Sequence, residues 1–152
     1  MEDLYPEIDI SQSEAEAIAR GLFAVARADG QLHERETGVI AQFYADVAGT
    51  ASPAVLGDLE RSARPEPAQL AAELQRPEVR LIFLRTAVLL AYVDSKYSPG
   101  ESKLIGDYAA AMGVGRKDLA EIETMAREFL MAQLAHIKNI DAVVEVARKL
   151  ES

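Results

Sequence analysis

A chain of 152 residues, 49% of them hydrophobic, is sized for one core, and no apolar run approaches the roughly 20 residues that cross a bilayer. Sixteen Lys and Arg stand against 25 Asp and Glu, and the net charge of −9 repels phosphate backbones, so nucleic acid is excluded as an expected partner. The absence of cysteine excludes disulfides, thiolate metal sites, iron–sulfur clusters and cysteine nucleophiles, while a start lacking any basic leader predicts a cytoplasmic protein.

Abundant alanine, few aromatics and apolar residues spaced three and four apart predict helices and no strand. The first helix starts at Ser11, where Glu14 completes a capping box, carries Ile18, Leu22 and Val25 on one face, and ends near Asp29-Gly30. A second helix over about 34–47 places Val39, Ile40, Phe43 and Tyr44 on its inner stripe and stops before Gly49. The following segment is rich in proline. Pro53, Pro67 and Pro77 each suit a first helical position, so this middle third reads as short helices rather than a linker.

A long helix over about 77–93 is apolar nearly all round in its C-terminal half, which marks it as the central buried helix. Another runs from Pro99 to Met112 and is stopped by Gly113 and Gly115. Helical sequence then continues from about Lys117 to Leu150, with Asn139 a candidate break.

Sliding the sequence against itself reveals an internal repeat at a shift of 65 residues. Leu22-Phe23-Ala24-Val25-Ala26-Arg27-Ala28-Asp29 superposes on Ala87-Val88-Leu89-Leu90-Ala91-Tyr92-Val93-Asp94, and Val39, Ile40 and Phe43 superpose on Leu104, Ile105 and Tyr108. Each half is therefore a helix, an acidic turn and a second helix. In both, an Asp closes the apolar helix and a Glu follows seven residues later, giving Asp29 with Glu36 and Asp94 with Glu101.

Two uses of these four carboxylates follow from their positions. Ser98-Pro99-Gly100-Glu101 is a capping box with proline at the first helical position, Glu36 stands in the same place behind His33, and Asp29 and Asp94 can accept N–H groups of their turns. Alternatively, Asp29-Gly30-Gln31-Leu32 with Glu36 is similar to the second half of an EF-hand loop. The first half of that loop is missing, because Val25 and Arg27, or Leu90 and Tyr92, occupy its acidic positions. One turn offers too few oxygens for Ca²⁺, which takes about 6–8, but two facing turns could supply them. Pseudo-twofold packing of the halves would bring Asp29 and Asp94 together, with Arg35 and Lys96 as local partial neutralisers.

The doubled pattern of an apolar helix running into Asp-Gly-x-aliphatic/aromatic-x-x-x-Glu resembles the TerB family of tellurite-resistance proteins and the wider TerB-like superfamily, over roughly residues 12–125. The resemblance implies an all-helical fold with two pseudo-symmetric halves, a stress or tellurite-resistance role, and divalent cation binding at Asp29, Glu36, Asp94 and Glu101. Two positions depart from the family's pattern. Ser95 stands where glycine is expected and His33 where Ser, Thr or Asp is common, and both lower the affinity expected of the site.

The remaining constellations carry no catalytic signature. His33 and His136 lack a zinc-type spacing, and Gly113-Val114-Gly115 has neither the preceding strand nor the following Lys-Ser/Thr of a phosphate loop. The stretch from Phe129 through Ile137, followed by Ile140, Val143, Val144, Val146, Ala147 and Leu150, either packs back on the bundle or forms a surface for a protein partner or a second copy. The expectation is thus a single all-α domain over 1–152 of about seven to eight helices, with a core of about 12–125 and an extension of about 128–150. Its expected role is non-enzymatic, with Ca²⁺ the leading cation and a helical interaction module the alternative.

Overall fold

The computed structural model of the chain describes residues 10–28, 34–48, 53–92 and 98–132. They form seven helices, and no strand occurs among them: α1 (Gln12–Ala26), α2 (Glu34–Ala48), α3 (Pro53–Arg61), α4 (Pro67–Glu73), α5 (Pro77–Tyr92), α6 (Pro99–Ala111) and α7 (116–132). No helix of the described residues is long and apolar enough to cross a membrane.

Local chemistry sets where these helices begin. Ser11 caps α1, its hydroxyl accepting from the Glu14 N–H at 3.1 Å while the Glu14 carboxylate accepts from the Ser11 N–H at 3.0 Å. Pro53, Pro67, Pro77 and Pro99 open α3, α4, α5 and α6, where the missing N–H costs no helical hydrogen bond. At the other end of α6, Gly113 adopts φ of 78°, a left-handed turn that stops the helix without the steric cost another residue would meet.

The starts of the helices keep the repeat of the sequence. α5 begins 65 residues after α1, and α6 begins 65 residues after α2. The inner stripes correspond as well, since Ile40 and Phe43 on α2 are buried, as are Ile105 and Tyr108 on α6.

Both α1 and α5 form the centre, which corrects the expectation of a single central helix. α1 packs against α2, α3, α4, α5 and α6, and it buries Ala15, Ala17, Ile18, Ala19 and every residue from Gly21 to Ala26. The face marked by Ile18, Leu22 and Val25 is only part of that surface. Alanine and glycine explain the difference: they contribute little apolar signal to a periodicity but let neighbouring helices approach closely. Gly21 is the clearest instance, because a Cβ there would lie 2.6 Å from a ring carbon of Phe83 on α5 and 3.0 Å from Leu70 on α4.

Three polar contacts fix the helix ends. Arg76, immediately before α5, grips the Glu14 carboxylate of α1 with Nε at 3.0 Å and Nη2 at 2.7 Å, tying the N-termini of the two central helices together. Arg80 of α5 donates to the carbonyls of Leu74, Ala71 and Met112, the latter two at 2.8 and 3.1 Å. One guanidinium thereby satisfies orphan carbonyls at the C-terminal ends of both α4 and α6, where cations are favoured. Tyr108 donates its hydroxyl to the Pro65 carbonyl at 2.9 Å from within the core, with its ring edge-on to Phe83 at 5.6 Å.

On α7, Ile122 and Ala126 are buried and Phe129 and Leu130 pack partly against the core, whereas Met125 and Met131 are exposed. This first part of the C-terminal segment packs back on the bundle. Residues 133–150, including His136, Asn139 and the rest of the apolar stretch, lie outside the described residues.

Candidate functional site

The two acidic turns lie between α1 and α2 and between α5 and α6. α1 closes on Arg27, whose N–H donates to the Phe23 carbonyl at 3.1 Å, and the Ala28 N–H donates to the Val25 carbonyl at 3.1 Å. The chain enters α2 at Glu34, so Glu36 sits in its first turn. In the second half α5 closes at Tyr92, and Ser98 caps α6 with Glu101 in the corresponding place. Asp29, Gly30, His33, Asp94, Ser95 and Lys96 lie outside the described residues, as does the side chain of Arg35.

Glu36 and Glu101 are both almost fully buried, with 2% and 3% of their surface exposed. Burying a carboxylate is costly unless hydrogen bonds or a compensating charge hold it, and the described residues bury no other Asp or Glu. Part of the compensation at Glu101 is visible. Its Oε1 accepts from the Ser98 N–H at 3.2 Å while the Ser98 hydroxyl accepts from the Glu101 N–H at 3.1 Å, the capping box its spacing predicts. A capping box needs no such depth, however, since the hydrogen bonds of the one at Ser11 and Glu14 lie at the surface and Glu14 is not among the buried residues. The depth of Glu36 and Glu101 is a separate property that the two repeats share.

The end of α1 and the start of α6 come into close contact. Gly100, one residue before Glu101, faces Ala28, one residue before Asp29: a Cβ on Gly100 would lie 2.6 Å from the Ala28 carbonyl oxygen. The backbone leading into the first acidic turn is thus packed onto the first turn of α6. A cleft of about 350 Å³ flanks this contact, lined by Ala28 and Gly100 together with Arg64, Glu66, Lys103 and Asp107.

Among the described residues no three His, Asp or Glu side chains converge into a group that could hold a metal ion. Of the four carboxylates singled out by the repeat, Glu36 and Glu101 are described and Asp29 and Asp94 are not. What the sequence did not signal is the burial of the two glutamates and the Ala28–Gly100 contact. Gly100 could have been noticed as a first-turn glycine directly behind a proline, a position with no local need for one. Comparison with known protein families, with curated protein sequences and with solved structures finds no match to the chain.

Proposed function

We propose that this chain is a non-enzymatic, TerB-like protein of chemical-stress or tellurite-resistance type that binds a divalent cation, Ca²⁺ foremost, between its duplicated acidic turns. The observation that carries the reading is the contact of Ala28 with Gly100, because it draws together the backbone beside Asp29 and beside Glu101. The matched burial of Glu36 and Glu101 supports it further, since a bound cation stabilises carboxylates that are withdrawn from water. In this reading two pseudo-symmetric halves each contribute one Asp and one Glu, with turn carbonyls and water completing the 6–8 oxygens Ca²⁺ takes.

Calorimetric titration of the full chain with Ca²⁺ and Mg²⁺ tests this, with the Asp29→Asn/Asp94→Asn double variant as control. Binding heat in the wild type that the double variant loses is the expected result. No heat at low-millimolar metal sinks the reading.

A second reading is favoured by the Ser98–Glu101 hydrogen bonds, which give one acidic residue a purely structural task. There the turns only cap helices, and the C-terminal helices dock a protein partner or a second copy. Light scattering of the full chain against one ending near Glu128 separates the cases: a mass that falls on truncation supports docking of a second copy.

A further inference from the structure

The chain carries a net charge of −9, yet one cleft gathers three arginines and no carboxylate among its lining residues. This cleft, of about 340 Å³, runs along α1 where it meets the loop between α3 and α4. Arg20 on α1 and Arg27 at its C-cap stand seven residues apart on one face, and Phe23, Ala24, Ser62 and Arg64 line the cleft with them. The two α1 arginines are held at its edges by single acids, Arg20 by Glu73 of α4 at 3.2 Å and Arg27 by Glu60 of α3 at 3.7 Å. Both pairs are partly solvated and therefore weakly held. Arg64 is exposed and forms no ion pair among the described residues.

We infer that this cleft is a binding site for a small, multiply charged oxyanion of the phosphate and pyrophosphate class. Guanidinium groups bind such anions through paired N–H donors in a fixed fork, and three of them around one depression match the several oxygens of a phosphate better than a monovalent anion. The volume lies at the lower end of small-molecule sites, which span about 300–1,000 Å³, so the fit is to a compact ligand rather than to a polymer. The surrounding acidity directs the choice of source. A surface of net negative charge is repelled by an anionic membrane, whereas a small dissolved anion needs only the local field of the cleft. On binding, the anion competes with Glu73 and Glu60 for Arg20 and Arg27 and adds Arg64.

The site is separate from the acidic turns, and its test is run in EDTA so that it stands or falls independently of cation binding. The full chain is titrated with inorganic phosphate and with pyrophosphate at low ionic strength, by calorimetry and by NMR of the arginine Nε–H signals. The expected result is saturable pyrophosphate binding that shifts the Arg20, Arg27 and Arg64 signals and weakens about tenfold in Arg64→Ala, the loss of one charge-assisted contact. Arg64→Lys keeps more of the affinity than Arg64→Ala. Arg27→Gln, checked for retained helicity, weakens binding as well. Three results overturn the assignment: no binding of either anion at low-millimolar concentration, an affinity unchanged in Arg64→Ala, or sedimentation with anionic lipid vesicles in the absence of binding to the soluble anions.

Discussion

Gly100 approaches Ala28 so closely that a single methyl group would not fit between them: a Cβ at position 100 falls 2.6 Å from the Ala28 carbonyl oxygen. Alanine is ordinarily the better helix residue by about 1 kcal/mol, so a Gly100→Ala change in an isolated helix would help. Here the backbone carbonyl cannot swing away as a side chain could, and the end of α1 must shift from the start of α6. The expected outcome is a loss of about 1–3 kcal/mol in urea unfolding. If the acidic turns bind Ca²⁺ together, the same variant also weakens that binding, because it parts the segments that precede Asp29 and Glu101.

A pair of glycine substitutions tests the same physics inside the core. Gly21→Ala on α1 would set a methyl group 2.6 Å from the ring of the buried Phe83, whereas Gly38→Ala on α2 meets nothing within 4 Å. Gly38→Ala is expected to stabilise by about 0.5–1 kcal/mol through helix propensity and a less flexible unfolded chain. Gly21→Ala is expected to destabilise by about 1–3 kcal/mol despite the same propensity gain. Denaturation midpoints of the two variants moving in opposite directions is the measured signature; movement in the same direction contradicts the packing described for α1 and α5.

How much of this was legible beforehand divides along a physical line. Features encoded within a few residues were readable: the Ser11–Glu14 and Ser98–Glu101 boxes, the prolines that open four helices, and the glycine stop after α6 all lie where local spacing places them. The repeat was readable too, and the helix starts keep its interval of 65 residues. What depends on side chains meeting across the bundle was not. Nothing local to Arg80 announces that it caps two helices, and Arg20, Arg27 and Arg64 read as scattered surface charge until α1 and the 62–66 loop are set side by side. The burial of Glu36 and Glu101 belongs to the same class, since a carboxylate in a first helical turn is ordinarily a solvated cap.

The Glu14–Arg76 pair gives the protein an acid-labile tie between its two central helices. The bidentate Arg76 guanidinium holds the Glu14 carboxyl down at about 2, against an ordinary 4.5, with the Ser11 N–H and hydroxyl acting in the same sense and burial opposing them. A carboxyl whose folded value is depressed stabilises the fold above its unfolded value and loses that contribution as pH falls through the folded one. The window is therefore from about pH 4.5 down to about pH 2. Glu14→Gln is expected to cost about 1–2 kcal/mol at neutral pH and to flatten the acid decline of stability relative to wild type. Parallel acid titrations of unfolding for the two proteins check it, and superimposable slopes across that window contradict it.

At the alkaline end the sign reverses, and Tyr108 is the residue concerned. Burial pushes its phenol up to about 12 from an ordinary 10, with Glu66 acting in the same direction and Arg64 opposing, while the hydroxyl donates to the Pro65 carbonyl at 2.9 Å. A group whose folded value is raised stabilises fully below its unfolded value, so this contribution is intact below about pH 10 and is lost as pH rises towards about 12. Tyr108→Phe keeps the ring and its edge-on contact with Phe83 but leaves the Pro65 carbonyl without its donor, which is expected to cost about 1–3 kcal/mol at neutral pH. The variant also removes one ionisation from the alkaline limb. Its stability deficit relative to wild type should therefore shrink between about pH 10 and pH 12, because the wild type loses there what the variant never had. A deficit that stays constant across that interval would mean that the hydroxyl ionises as freely in the folded chain as in the unfolded one, which its place in the core forbids.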